Sequence, residues 1–125
     1  MKQVVSTDRA PAAIGPYAQA VTLNGLIITS GQLPIDPATG AFPGSDIASQ
    51  TRQSLTNVKH IVEAAGMTLA DVVRVGVFLK DMNDFAAMNE VYGQFFTTDC
   101  PARAAVEVAR LPKDALVEIE CVACK

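Results

Sequence analysis

Six short apolar or β-branched runs share this chain with only two helical stripes, and that imbalance constrains the fold more than any other feature. The runs lie at Lys2 to Ser6, Gln19 to Leu23, Leu26 to Ser30, Val72 to Leu79, Ala102 to Val108 and Leu116 to Ala123. The stripes lie at Asp46 to Ala65 and Asp84 to Phe96. This order predicts an α+β layer, with both helices against one face of a mixed, six-stranded sheet. The other face is not polar enough to stay bare. Along Leu116 to Ala123, Val117, Ile119 and Cys121 point one way, and Glu118, Glu120 and Val122 the other. A sheet apolar on both faces needs a second cover, and in a chain of 125 residues another copy of itself is the simplest one. The expectation is a closed homo-oligomer with polar residues of the shared face at the subunit junctions.

Local signals support these elements. Asn24-Gly25 between two apolar runs marks a tight hairpin, because both central residues of a type I′ turn need positive φ. Leu33 to Gly44, with three prolines and two glycines, reads as an irregular loop. In the first helix Ile47, Thr51, Leu55, Val58, Val62 and Ala65 recur at three- and four-residue steps. Ser45 is its expected N-cap, and Gly66 its C-terminal stop. Thr68 to Asp71 resembles a capping box on a single turn. The continuous apolar character of Val72 to Leu79 predicts a strand covered on both faces. The second helix carries Phe85, Met88, Tyr92 and Phe95 on its stripe.

Residues 1–125 read as a single domain, 50% apolar, with a net charge of -3 and no basic block, so a phosphate-tracking nucleic-acid surface is not expected. No apolar run approaches the length of a membrane span, and Met1 to Ser6 lacks the features of a signal peptide. The expected location is the cytoplasm. Cys121 and Cys124 form a C-x-x-C, but positions three apart on a strand face opposite ways and cannot readily share a metal or a disulfide. His60 lies off the apolar stripe, and phosphate-loop, dinucleotide, nucleophile-elbow and zinc-protease motifs do not occur. Any chemistry is therefore expected to rest on Arg, Glu, Tyr, Ser, Asn and backbone groups, without metal or cofactor.

Arg103 is the most informative of these. It lies in the small, apolar strand Ala102 to Val108 and shares a face with Ala105 and Glu107. A strand cation is costly unless an anion meets it. The partner is either a protein carboxylate (Glu107, Glu118 or Glu120) or the carboxylate of a ligand held by the guanidinium fork, and the strand alone leaves both open. Glu118 lies deep enough in its strand to position or deprotonate a water, whereas Glu120 reads as a solvated edge. Gly31, after Ser30, permits close approach of a ligand or of another backbone. Tyr17 lies in a constrained loop, and Asn89 borders the stripe of the second helix four residues after Phe85. Beside these binding readings stand structural ones: a strand-ending turn for Ser30-Gly31, and the commoner cases of packing for Tyr17 and the stripe's polar border for Asn89.

Together, Ala12-Ala13-Ile14-Gly15-Pro16-Tyr17, Ile28-Thr29-Ser30-Gly31-Gln32-Leu33-Pro34, Asn57-Val58, Val77-Phe78-Leu79-Lys80-Asp81-Met82, Pro101-Ala102-Arg103 and Val106-Glu107-Val108-Ala109-Arg110-Leu111-Pro112 closely resemble the Rid family, also called the YjgF or L-PSP family. The likeness spans essentially the whole chain, and an arginine at the position of Arg103 points to the RidA subfamily. The resemblance implies a chorismate-mutase-like α+β fold and a homotrimer with sites between subunits. It also implies hydrolysis of 2-imino acids such as 2-iminobutanoate and 2-iminopropanoate to 2-oxo acids and ammonia, which protects pyridoxal-phosphate enzymes. By that likeness Arg103 clamps the substrate carboxylate, and the backbone carbonyl of Ala105 accepts from the imine nitrogen. Glu118 holds the attacking water, and Tyr17, Ser30, Gly31 and Asn89 line the pocket or orient ligand and water. Many members carry cysteine where this chain has Ala105, so a thiol-dependent role at that position is not expected here. Two other readings remain: a non-catalytic module that binds small carboxylates in the same Arg103 pocket, and the ribonuclease or translation inhibitor suggested by the family's older name, for which an acidic chain with one off-stripe histidine is poorly composed.

Overall fold

A computed structural model describes residues 1–125 and contains six strands and two α-helices. In chain order these are β1 (Gln3–Val5), β2 (Ala20–Leu23), β3 (Leu26–Thr29), α1 (Ile47–Ala64), β4 (Val72–Leu79), α2 (Phe85–Phe95), β5 (Ala102–Glu107) and β6 (Val117–Cys124). The strands form one sheet in the order β1-β2-β3-β6-β4-β5. Only β4 and β5 run parallel, joined through α2 as a parallel pair requires a crossover; the other pairings are antiparallel. The hairpin between β2 and β3 turns on Asn24 and Gly25 with φ of 50° and 82°, the positive values that a type I′ turn demands.

β6 lies between β3 and β4, with a strand on each side. This corrects the reading of Glu120 as an edge residue: it stands in mid-sheet, opposite Gly76 of β4. Strand order depends on pairings far apart in sequence, which local alternation does not encode.

Both helices cover one face. Ile27, Val75, Val77, Leu79, Val117 and Ile119 point down from the sheet and meet Leu55, Val58, Ile61 and Val62 of α1 and Met88 and Tyr92 of α2. Burial of such side chains contributes roughly 1.5–3 kcal/mol each, which makes this face the main source of stability. The α1 stripe is wider than its apolar residues suggest, because Gln50, Ser54 and Asn57 are buried too. Asn57 donates to the carbonyls of Leu33 and Ile35 at 3.1 and 2.9 Å, and Gln50 donates to Gly44 at 3.0 Å. These amides pin the irregular loop that follows Gly31. The N-cap of α1 is Asp46, whose carboxylate accepts from the Ser49 backbone at 2.9 Å, and not Ser45 as expected. The single turn at Leu69–Asp71 does carry the capping box.

The other face is uncovered within one chain, including that side of β4, where coverage on both faces was expected. Register aligns Val4, Val21, Ile28, Val122 and Arg74 in one row across it, and Glu118, Phe78 and Val106 in another. Val4, Ile28 and Val106 are 67%, 51% and 44% exposed. Cys121 is buried on the helix side and Cys124 is exposed, as a three-residue offset on a strand requires.

Candidate active site

Arg103 projects from β5 toward α2, paired in register with Val75 on the helix-covered face. Phe85, Asn89 and Tyr92 stand at i, i+4 and i+7 on α2, so they share the helix face that meets this strand. Arg103 Nη1 donates to Asn89 Oδ1 at 2.7 Å. The guanidinium carbon lies 4.6 Å from the ring centroid of Tyr92 and 5.4 Å from that of Phe85. The ion pairs of the structure are Arg9–Glu63 and Lys80–Asp114, and Arg103 belongs to neither.

The structural ion pair weighed for Arg103 is thus absent. Glu107 shares its face but accepts instead from the backbone of Met82 at 2.8 Å. Glu118 and Glu120 point to the opposite face. The guanidinium is exposed, so it escapes the several kcal/mol that burial of a bare ion costs, and contacts worth roughly 0.5–1 kcal/mol each suffice to orient it. Phe85 and Tyr92 read as plain core residues in the sequence; their i, i+7 spacing around Asn89 was the available sign of a second role.

β5 is an edge strand. Val108 donates to Leu79 O at 2.9 Å, so by alternation the backbone groups of Arg103, Ala105 and Glu107 point away from β4, to the free edge. The Ala105 carbonyl is therefore open to an incoming donor on the same strand as the guanidinium.

The remaining residues form a second group. Glu118 packs against Gly31: a Cβ built on that glycine would lie 2.8 Å from the Glu118 carboxyl carbon and 3.0 Å from Oε1. Only glycine leaves the carboxylate where it is. Gly31 is fixed on both sides. Ser30 Oγ donates to Ala18 O at 2.6 Å, and Gln32 bridges to Ile119, its N–H donating at 2.7 Å and its carbonyl accepting at 3.2 Å. Tyr17 and Gly31 line one groove together with Pro11, Ile14, Gln32 and Leu33. The buried amide of Gln19 holds the loop on one side of that groove, accepting from Thr7 N at 2.7 Å and donating to Pro11 O at 2.8 Å. Burial first, and the neighbouring charge of Glu120 second, push the Glu118 carboxyl above the ordinary glutamate range.

The structure therefore places these residues in two groups on opposite faces of the sheet. One holds Arg103, Asn89 and the Ala105 carbonyl, and offers cationic and hydrogen-bonding groups suited to a carboxylate. The other holds Tyr17, Ser30, Gly31 and Glu118, and offers a carboxyl of raised proton affinity. β4 and the thickness of the sheet separate them.

A two-helix, six-stranded α+β protein with these two groups of residues has clear relatives. The chain belongs to the endoribonuclease L-PSP family, whose sequence profile matches residues 7–125. It is 56% identical to a protein of Escherichia coli K12 named 2-iminobutanoate/2-iminopropanoate deaminase, over 98% of each chain. The crystal structure of the E. coli YjgF gene product superposes with a TM-score of 0.95 at 56% identity, again over 98% of each chain. That of E. coli TdcF with bound serine gives a TM-score of 0.95 at 50% identity, over 98% of each chain.

Proposed function

We propose that the protein is a 2-iminobutanoate/2-iminopropanoate deaminase, an enzyme acting on C=N bonds. Water adds to the imine carbon, the carbinolamine collapses, and a 2-oxo acid and ammonia leave. The observation that carries this reading is the exposed Arg103 guanidinium, oriented by Asn89 and two aromatic faces yet paired with no protein carboxylate. Such a fork suits the carboxylate that every 2-imino acid carries beside its C=N bond.

In this reading Arg103 clamps the carboxylate and the Ala105 carbonyl accepts the imine N–H. Glu118 takes a proton from the attacking water and returns it to the leaving nitrogen, a role favoured by a carboxyl whose proton affinity is raised toward neutrality. Tyr17, Ser30 and Gly31 shape the wall on the Glu118 side, and Asn89 orients the clamp. Because the two groups lie on opposite faces of one sheet, Arg103 of one subunit works with Glu118 of another. The bare, partly apolar sheet face supports a homotrimer in which residues 1–125 act as one domain. No helix is long and apolar enough to cross a membrane. We place the enzyme in the cytoplasm, as damage control against imines released by pyridoxal-phosphate enzymes, with small 2-imino and 2-oxo acids as ligands and no nucleic-acid or membrane partner.

The test is a threonine dehydratase reaction in which semicarbazide competes for the imine. Added protein should speed 2-oxobutanoate release and lower semicarbazone formation, and Arg103→Ala should abolish both effects. A wild-type protein without effect rejects the reading. The serine bound to TdcF supports one alternative, a small-carboxylate-binding module, which calorimetric 2-oxo acid binding without imine turnover would establish.

A further inference from the structure

We infer that Tyr92 is a positioning residue for the carboxylate clamp, acting on Arg103 through the face of its ring; this rests on the reading of Arg103 as that clamp. Three observations converge. Tyr92 makes the closer of the two aromatic contacts, 4.6 Å from the guanidinium carbon against 5.4 Å for Phe85. It is also the fixed one: Tyr92 is 6% exposed, belongs to the main core and packs on Phe96 with ring centroids 4.8 Å apart, whereas Phe85 is only half-buried. Finally, its hydroxyl is buried and has no hydrogen-bond partner within the chain. Within the chain the hydroxyl therefore does not fix the ring, since an unpaired buried hydroxyl is a cost.

The ring face is electron-rich and attracts a cation. Tyr92 thus supplies a floor that sets the plane of the guanidinium, and Asn89 sets its rotation in that plane by accepting from Nη1. The remaining N–H groups make no side-chain hydrogen bond within the chain and are left for a ligand. A fork held this way loses less freedom when it closes on a carboxylate.

The experiment replaces Tyr92 with phenylalanine and then with mono-, di- and trifluorinated phenylalanine, which drains the ring face at nearly constant volume. Calorimetry measures the Kd of 2-oxobutanoate, and the imine assay gives kcat and KM. Tyr92→Phe, which keeps the ring face, is the reference for the series and should melt higher than wild type, because it removes a hydroxyl with no partner within the chain. Kd should then rise with each fluorine, to about tenfold at three, while Tm stays level. Tyr92→Leu should lose a similar factor, with no further loss in an Arg103→Ala background, as expected if the ring works only through the guanidinium.

A flat Kd across the fluorine series in folded protein overturns the inference, and so does an additive loss in the Arg103→Ala background. If Tyr92→Leu fails to fold, the fluorine series alone decides. Wild type that binds 2-oxobutanoate without turning over imine removes the deaminase reading and leaves the Kd series to decide on Tyr92. Wild type that binds no 2-oxobutanoate overturns both.

Discussion

Arg103 and Glu118 project from opposite faces of the same sheet, with β4 between their strands. One chain cannot bring a single small substrate to both. A reaction that uses the two groups together must be built from two copies.

That geometry has a direct genetic consequence. Arg103→Ala and Glu118→Gln chains, each inactive alone, should regain activity when co-assembled. If every site takes Arg103 from one subunit and Glu118 from its neighbour, equal random mixing should restore about a quarter of wild-type turnover. Imine hydrolysis by the mixed oligomer is the measurement, and no recovery in a verified mixed assembly rejects the shared site.

Arg103→Ala should be costly for activity and cheap for folding. Losing a bidentate, charge-assisted contact should lower kcat/KM by roughly 10³-fold or more, which leaves no measurable effect in the semicarbazide competition. The side chain is exposed and forms no ion pair, so Tm should barely move. Arg103→Lys, which keeps the charge and loses the planar fork, should recover only a small part of the activity. Steady-state kinetics and thermal melts on the same preparations check each outcome.

Gly31→Ala should act on the reaction through Glu118. The added Cβ would meet the carboxyl end of that side chain at 2.8 Å, and a flexible side chain yields more easily than backbone. The fold should persist while the carboxylate swings away, lowering kcat by about tenfold or more, since displacement of about 1 Å can cost 10²-fold. Structure determination of the variant would show the moved carboxylate; an unmoved one with full activity contradicts the argument.

Glu118 also fixes an expected pH dependence. Its folded pKa is raised by burial and by Glu120, so in the interval between its ordinary and raised values the folded chain binds more protons than the unfolded one. Its contribution to stability is therefore fully present below the ordinary value and is lost as pH rises through the raised one. Glu118→Gln, which cannot ionise, should melt higher than wild type near neutrality, with the difference closing on acidification. In turnover the sign reverses under the proposed role of Glu118, since proton abstraction from water would need the carboxylate, and kcat/KM should climb as pH passes through the raised value. Melts and rates from about pH 4 to about pH 8 test both signs.

What the sequence disclosed follows from the range of each interaction. The Asn24-Gly25 hairpin, the α1 stripe and the capping box at Thr68 are decided within a few residues, and local pattern sufficed. The cap at Asp46 instead of Ser45 shows how little separates adjacent candidates. Glu120 was misplaced because nothing local states that β6 lies between β3 and β4. That Arg103 meets no carboxylate of its own chain could not be read from its strand, since the groups that do meet it, Asn89 and Tyr92, arrive on α2. Gly31 was recognised as a place of close approach, but the group that approaches, Glu118, lies far away in the sequence.

The placement of β6 also bears on how the chain reaches its native state. It is the last of the six strands to leave the ribosome, yet it alone hydrogen-bonds the β1-β2-β3 unit to the β4-β5 pair. Until it arrives, β3 and β4 each present an unpaired inner edge rich in isoleucine and valine, a template for pairing with the wrong chain. A nascent chain stalled before Val117 should therefore be the form that most needs chaperones.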